Sequence, residues 1–206
     1  MIADRYAGNR LNSPNDAVVA SDGAVWFTDS SYGIDSDYEG NRAQMELDGC
    51  HVFRVDPGTG ECAVVADDFQ RPTGIAFSPD EQRLYIADSR ANHVRAFDVA
   101  DGSTLSGGDV FATNDALSFD GMRIDDAGRV WIAASDGVHC FEPDGTLIGK
   151  IRLPQAAANI SFGGAKRNRL FICASTSLYS IMLSVNGVRP RTASIRAPFT
   201  TSGSVR

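Results

Sequence analysis

Four polar residues recur at one position of a repeating pattern: Asn15, Thr73, Asp120 and Asn159, separated by 58, 47 and 39 residues. Each precedes a short apolar run within five residues, as Ala17-Val18-Val19, Ile75-Ala76-Phe77, Met122-Arg123-Ile124 and Ile160-Ser161-Phe162. All four offer oxygen atoms and none is aliphatic; Asp16 adds a carboxylate beside the first. Carboxylate, amide and hydroxyl oxygens gathered around one point suit a hard cation such as Ca²⁺. The competing reading is that Asn, Asp and Thr merely cap turns, a common duty for them. One such residue means little, but four at one repeat position favour a shared polar site.

Other chemistries are poorly served. Cys50, Cys62, Cys140 and Cys173 form no CxxC pair and read as reduced structural thiols. His51, His93 and His139 stand far apart in sequence, so a His-rich zinc site is not expected. Ser175-Thr176-Ser177 lacks the G-x-S-x-G elbow of a serine hydrolase. Gly107-Gly108 and Gly163-Gly164 read as turn glycines, since no strand-to-helix context surrounds them. Asp35, Asp37, Glu39 and Glu46 form an acidic loop read as a solvated rim, with a substrate-facing lid as the second reading.

The elements that must position these residues are strands. β-branched and aromatic runs alternate with turns such as Ser21-Asp22-Gly23 and Ser78-Pro79-Asp80, which is hairpin patterning. Each repeat carries a large aromatic 11 or 12 positions after its polar residue, at Trp26, Tyr85, Trp131 and Phe171. Trp26 and Trp131 are expected in the core. Third strands follow at Val52–Val55, Val94–Phe97 and Val138–Phe141, and fourth strands in the first and third repeats. A unit of roughly 40 to 50 residues with four strands is the signature of a β-propeller blade. The expected fold is therefore all-β, a single β-propeller domain over residues 1–206 with about four blades present. The expectation is a piece of a larger ring rather than a small closed one, because the smallest propellers are rare and an open array on its own would leave strand edges that proteins avoid.

Composition narrows the partners. The chain has 206 residues, and 19 basic against 26 acidic residues give a net charge of -7 with no Lys/Arg cluster, which argues against nucleic acid and anionic membranes. No apolar run is long enough to span a bilayer, and the start lacks a secretory pattern, so a cytoplasmic protein is expected.

Several ordered motifs carry a family likeness: Arg10-Leu11-Asn12-Ser13-Pro14-Asn15-Asp16, Trp26-Phe27-Thr28-Asp29, Tyr32-Gly33-Ile34, Arg71-Pro72-Thr73-Gly74-Ile75, Leu84-Tyr85-Ile86-Ala87-Asp88 and Phe119-Asp120-Gly121-Met122. Over about residues 2 to 185 the sequence resembles the gluconolactonase / senescence marker protein (regucalcin) family. The resemblance implies a six-bladed propeller that hydrolyses sugar lactones with a divalent metal on its axis. The metal would be Ca²⁺, with Zn²⁺ or Mn²⁺ as alternatives. It implies that Asp120 is a metal ligand and the general base, and that Asn15, with Asp16 beside it, contacts substrate. Thr73 and Asn159 complete the implied metal set, Thr73 standing where the family has Asn. The family's ligand Glu would belong to a blade preceding Met1, so the chain is expected to be incomplete at its N-terminus. The implied partner is a small-molecule sugar lactone, and open blade edges would allow a homo-oligomer. The alternative function is a catalytically silent propeller that acts as a sugar- or protein-binding module, or a truncated inactive lactonase.

Overall fold

The computed structural model describes residues 1–189; residues 190–206 of the expected domain lie outside the described residues. A two-stranded hairpin, β1 (Arg5–Tyr6) and β2 (Asn9–Arg10), precedes four successive antiparallel sheets. The first blade is β3 (Ser13–Val19), β4 (Val25–Ser30), β5 (Cys50–Val55) and β6 (Cys62–Phe69), with a short helix α1 (Tyr32–Asp35) between β4 and β5. The second is β7 (Pro72–Phe77), β8 (Arg83–Asp88), β9 (His93–Ala100) and β10 (Thr104–Thr113). The third is β11 (Phe119–Ile124), β12 (Val130–Ala134), β13 (Gly137–Phe141) and β14 (Leu147–Arg152). The fourth has three strands among the described residues, β15 (Ala157–Gly163), β16 (Arg169–Ala174) and β17 (Ser177–Met182). Each sheet pairs its strands in chain order, as propeller blades do.

Local chemistry explains the hairpins. In the β3–β4 turn, Gly23 takes φ +91° and Asp22 Oδ1 accepts the Ala24 N–H at 2.8 Å. In the β11–β12 turn, Asp125 Oδ1 accepts the N–H groups of Ala127 and Arg129, each at 3.0 Å. Carboxylates that satisfy their own turn make these reversals local and independent of packing.

The core lies between blades. Trp26 meets Phe77 edge-on at 5.5 Å, joining blades one and two. Tyr85 of blade two packs with Phe119, Met122 and Ile132 of blade three. Trp131 meets Phe162 edge-on at 6.1 Å, joining blades three and four. Both tryptophans are buried, as the repeat pattern predicts. The four cysteines are free thiols.

Two features depart from the sequence reading. Blade two does have a fourth strand, β10, and Gly107-Gly108 sit inside it at a register break instead of in a turn. A Cβ on Gly108 would lie 2.5 Å from the Phe97 ring, so the bulge admits only glycine there. The polar segment after β4 is not wholly irregular, since it opens with α1.

Candidate functional site at the ends of the inner strands

The inner strands β3, β7, β11 and β15 all break register near their starts, and the aligned polar residues lie at these breaks. The interruptions fall between Pro14 and Ala17, Pro72 and Ile75, Phe119 and Met122, and Ala157 and Asn159. Asn15, Asp16, Thr73 and Asp120 occupy the first three bulges, and Asn159 closes the fourth. A bulge re-aims a side chain out of the ladder, so the repeat position is a structural position as well.

The start of each of the first three inner strands is clamped from the second strand of its blade or the residue that follows it. Asp29 accepts the N–H groups of Asn12 at 2.8 Å and Ser13 at 2.7 Å. Asp88 accepts those of Gln70 at 2.7 Å and Arg71 at 3.1 Å, and also those of Arg90 and Ala91 beyond β8. Ser135 Oγ accepts the Leu117 N–H at 2.8 Å before β11. Burial pushes the Asp29 carboxyl up to about 6, against the lowering effect of its two N–H donors.

Glycines bring the bulges together. A Cβ on Gly74 would lie 2.3 Å from the Asp120 carbonyl oxygen, so the backbones of blades two and three touch at that point. A Cβ on Gly121 would lie 2.2 Å from Asn159 Oδ1, so the Asn159 amide rests on the peptide next to Asp120. Thr28 Oγ1 donates to the Thr73 carbonyl at 2.6 Å and accepts the Asp16 N–H at 3.1 Å, tying blade one to blade two. The Thr73 and Asp120 segments thus touch backbone to backbone, and Asn159 reaches them through its side chain. Asn15 is exposed on the adjoining bulge of β3.

Electrostatics single out Asp120. Its carboxyl is pushed up to about 7, chiefly by burial, then by the charges of Asp16 and Glu39, with the Gly121 N–H opposing. Thr73 is buried and its Oγ1 has no hydrogen-bond partner. A half-buried carboxyl, an unpartnered buried hydroxyl and an amide oxygen that accepts the Ile160 N–H at 2.8 Å, carried on adjoining inner strands, are hard oxygen donors of the kind a cation with oxygen preference takes. Asp120, Thr73 and Asn159 are the residues that could hold one.

Glu39, read from the sequence as part of a solvated rim with a substrate-facing lid as the second reading, acts on Asp120. Its loop folds over the end of blade two. Tyr32 Oη lies 2.7 Å from Ser89 Oγ, Asp35 pairs with Arg71 at 2.8 Å, and the Arg71 guanidinium stands 4.6 Å from the Tyr32 ring centroid. The Gly33 N–H donates to Ser13 Oγ at 3.0 Å, and Gly40 packs against the Gly33 carbonyl so closely that no Cβ fits. Glu46 pairs with Arg10. The acidic loop is therefore held down by ion pairs and close backbone packing, and it brings the Glu39 charge to bear on Asp120. The sequence signal was the pair Gly33 and Gly40, legible only once their contact is known.

A second acidic cluster lies away from these bulges. Asp115, Asp136 and His139 present ligand atoms within 4.8 Å of one another. The Lys150 ammonium already sits there, at 2.5 Å from Asp115 and 3.4 Å from Asp136, so a cation's place is taken.

The family model described as "SMP-30/Gluconolactonase/LRE-like region" matches residues 1–176. The chain belongs to this family. Within the SMP-30/gluconolactonase family, the gluconolactonase of Zymomonas mobilis is 34% identical over 193 residues, covering 88% of this chain and 53% of that protein. Among solved structures, a Xanthomonas campestris gluconolactonase superposes with a TM-score of 0.83 at 40% identity, covering 88% of this chain and 60% of the other. A calcium-binding regucalcin from Agrobacterium tumefaciens shares the fold, with a TM-score of 0.68 at 20% identity, covering 85% and 62% of the two chains. The chain thus spans about half the length of the Zymomonas relative and about three fifths of these structures. Four blades of an SMP-30/gluconolactonase propeller account for that share. No helix among the described residues is long and apolar enough to cross a membrane.

Proposed function

We propose that this chain carries the axial centre of a divalent-metal-dependent lactonase acting on sugar lactones. The observation that carries the reading is that Thr73, Asp120 and Asn159 lie at the register breaks of three adjoining inner strands, with the buried Thr73 hydroxyl left unpartnered and the Asp120 carboxyl half-buried. Membership of a family whose relatives include gluconolactonases supports the substrate class. Ca²⁺ suits an all-oxygen donor set best, and Zn²⁺ or Mn²⁺ are the alternatives.

Asp120, Thr73 and Asn159 would hold the ion. When bound, it supplies Lewis acidity at the lactone carbonyl and counter-charge for the oxyanion of ring opening. Asp120 has a second duty. As a carboxylate on the inner strand of the site, it would accept a proton from the attacking water. The ring then opens with that proton passing to the leaving ring oxygen, and the products are the hydroxy acid and the restored carboxylate. Asn15, exposed on the adjoining bulge, offers an amide to the sugar hydroxyls. Asp16 supports that bulge from within, both of its carboxylate oxygens being engaged by protein donors.

The test is hydrolysis of glucono-1,5-lactone by the wild-type chain and by Asp120→Ala, with the spontaneous rate subtracted. The expected result is turnover in the first and none in a folded second. Equal rates in the two would remove Asp120 from the mechanism, and absence of turnover in both would favour a silent sugar-binding propeller.

A further inference from the structure

Arg123 belongs to no repeat correspondence, yet it makes the longest-range side-chain hydrogen bond of the site. It lies on β11, three residues after Asp120, opposite Trp131 in the ladder. Its side chain leaves blade three, passes blade two and reaches blade one, where Nη1 donates to Asp16 Oδ2 at 3.1 Å. The pair therefore crosses the channel between blades that are not neighbours. The Asp16 side chain is only 8% exposed and that of Arg123 35%, so this is not a freely solvated surface pair.

Asp16 is held on three sides. Oδ1 accepts the Ala17 N–H at 2.9 Å, Oδ2 accepts from Arg123, and its own backbone N–H donates to Thr28 Oγ1 at 3.1 Å. These bonds fix the bulge of β3 on which Asn15 is presented. They also decide the charge of the site. The inner strands carry two carboxylates, Asp16 and Asp120. Arg123 pairs with the first and not the second. Arg123 also lines a cavity of about 330 Å³ whose walls include Ile75, Phe77, Ile124 and Phe162 together with Glu81, Arg167 and Arg189. A guanidinium suits the duty better than an ammonium, because it keeps its charge when partly desolvated.

We propose that Arg123 is a positioning residue of the axial site: by reaching across the channel to Asp16 it offsets part of that carboxylate's charge and pins the bulge that presents Asn15. The proposal rests on the metal-dependent reading above. It assigns a duty to a side chain that touches neither ion nor substrate.

The test is calorimetric titration of Ca²⁺ into chelator-stripped chains, with lactone kinetics alongside. Arg123→Met frees a second carboxylate, and affinity rises with ligand charge, so Kd should tighten about three- to tenfold. KM for the lactone should rise several-fold with a smaller change in kcat, because Asn15 loses its support. Arg123→Lys keeps the charge and should return Kd to within about twofold of wild type. The double variant Asp16→Asn/Arg123→Met, lacking both charges, should also return towards the wild-type Kd. A merely structural Arg123 would weaken binding in the single variant and would not be rescued in the double.

Folding is checked by circular dichroism. If Arg123→Met does not fold, Asp16→Asn is the informative variant. It leaves a lone guanidinium facing the site and should weaken Kd about threefold or more. An unchanged Kd in folded Arg123→Met, or in Asp16→Asn, overturns the proposal. If the wild type binds no cation, the metal reading fails; cation binding acquired by Arg123→Met would still uphold the charge-offsetting duty, and no binding in either overturns both.

Discussion

Replacing Asp120 by Asn should stabilise the metal-free protein near neutral pH while it removes turnover. In the unfolded chain this carboxyl ionises at the ordinary value of 3.8, and in the folded chain at about 7. The folded state holds the proton more tightly, so the group's stabilising contribution is complete below the lower value. It is lost as pH rises towards the upper one, and is constant above that. About three pH units at about 1.4 kcal/mol each set a ceiling of about 4 kcal/mol. Water and polar groups around a half-buried carboxyl reduce the realised effect to about 1–2 kcal/mol. Asn has no proton to lose. The variant should therefore match wild type at about pH 4 and exceed it by about 1–2 kcal/mol at pH 7 to 8. For a chain of this size that is a rise in Tm of about 2–8 °C. The assay is thermal unfolding in chelator across this pH range. Excess Ca²⁺ should reverse the order at pH 8, because binding stabilises only the chain that keeps its carboxylate. A variant less stable than wild type at pH 8 in chelator, or a difference indifferent to pH, would refute the reasoning.

Three further outcomes are expected. Thr73→Val replaces a buried hydroxyl that has no partner; it should stabilise the metal-free chain by about 0.5–1 kcal/mol in urea unfolding, yet weaken Ca²⁺ binding in calorimetry. Gly74→Ala drives a Cβ into the Asp120 carbonyl, whereas Gly121→Ala meets only the Asn159 amide. The first should lose about 2–3 kcal/mol of stability, and the second should lose less stability but more than about tenfold in lactone turnover, since a misplacement of about 1 Å can cost that much. Asp88→Ala withdraws the acceptor of four backbone N–H groups. It should shift the urea midpoint by an amount worth about 3–5 kcal/mol, and a loss under about 1 kcal/mol would show that water replaces the clamp.

The blades were legible because their causes are local. Alternating apolar runs and self-satisfied turns such as Ser21-Asp22-Gly23 and Ser78-Pro79-Asp80 fix hairpins without reference to distant residues. The alignment of Asn15, Thr73, Asp120 and Asn159 was legible for the same reason, since the bulges they occupy recur with the blade. Strand β10 was missed because Gly107-Gly108 imitates a turn, and only the nearby Phe97 ring and Arg95 side chain explain glycine there. The action of Glu39 on Asp120 and the reach of Arg123 were illegible for a different reason. The influence of Glu39 depends on a loop path set by Tyr32, Asp35 and Arg71, and the bond of Arg123 spans 107 positions of sequence. Charge placed across a channel leaves no periodic trace.

The most direct test of the axial centre is to locate the ion. Crystals of the chain grown with Mn²⁺ and measured for anomalous scattering should show one strong peak among Asp120, Thr73 and Asn159, at distances proper to oxygen ligands. Asp120→Ala crystals should lack it. A peak at Asp115, Asp136 and His139 with Lys150 displaced, or an empty axial site at saturating Mn²⁺, would contradict the account.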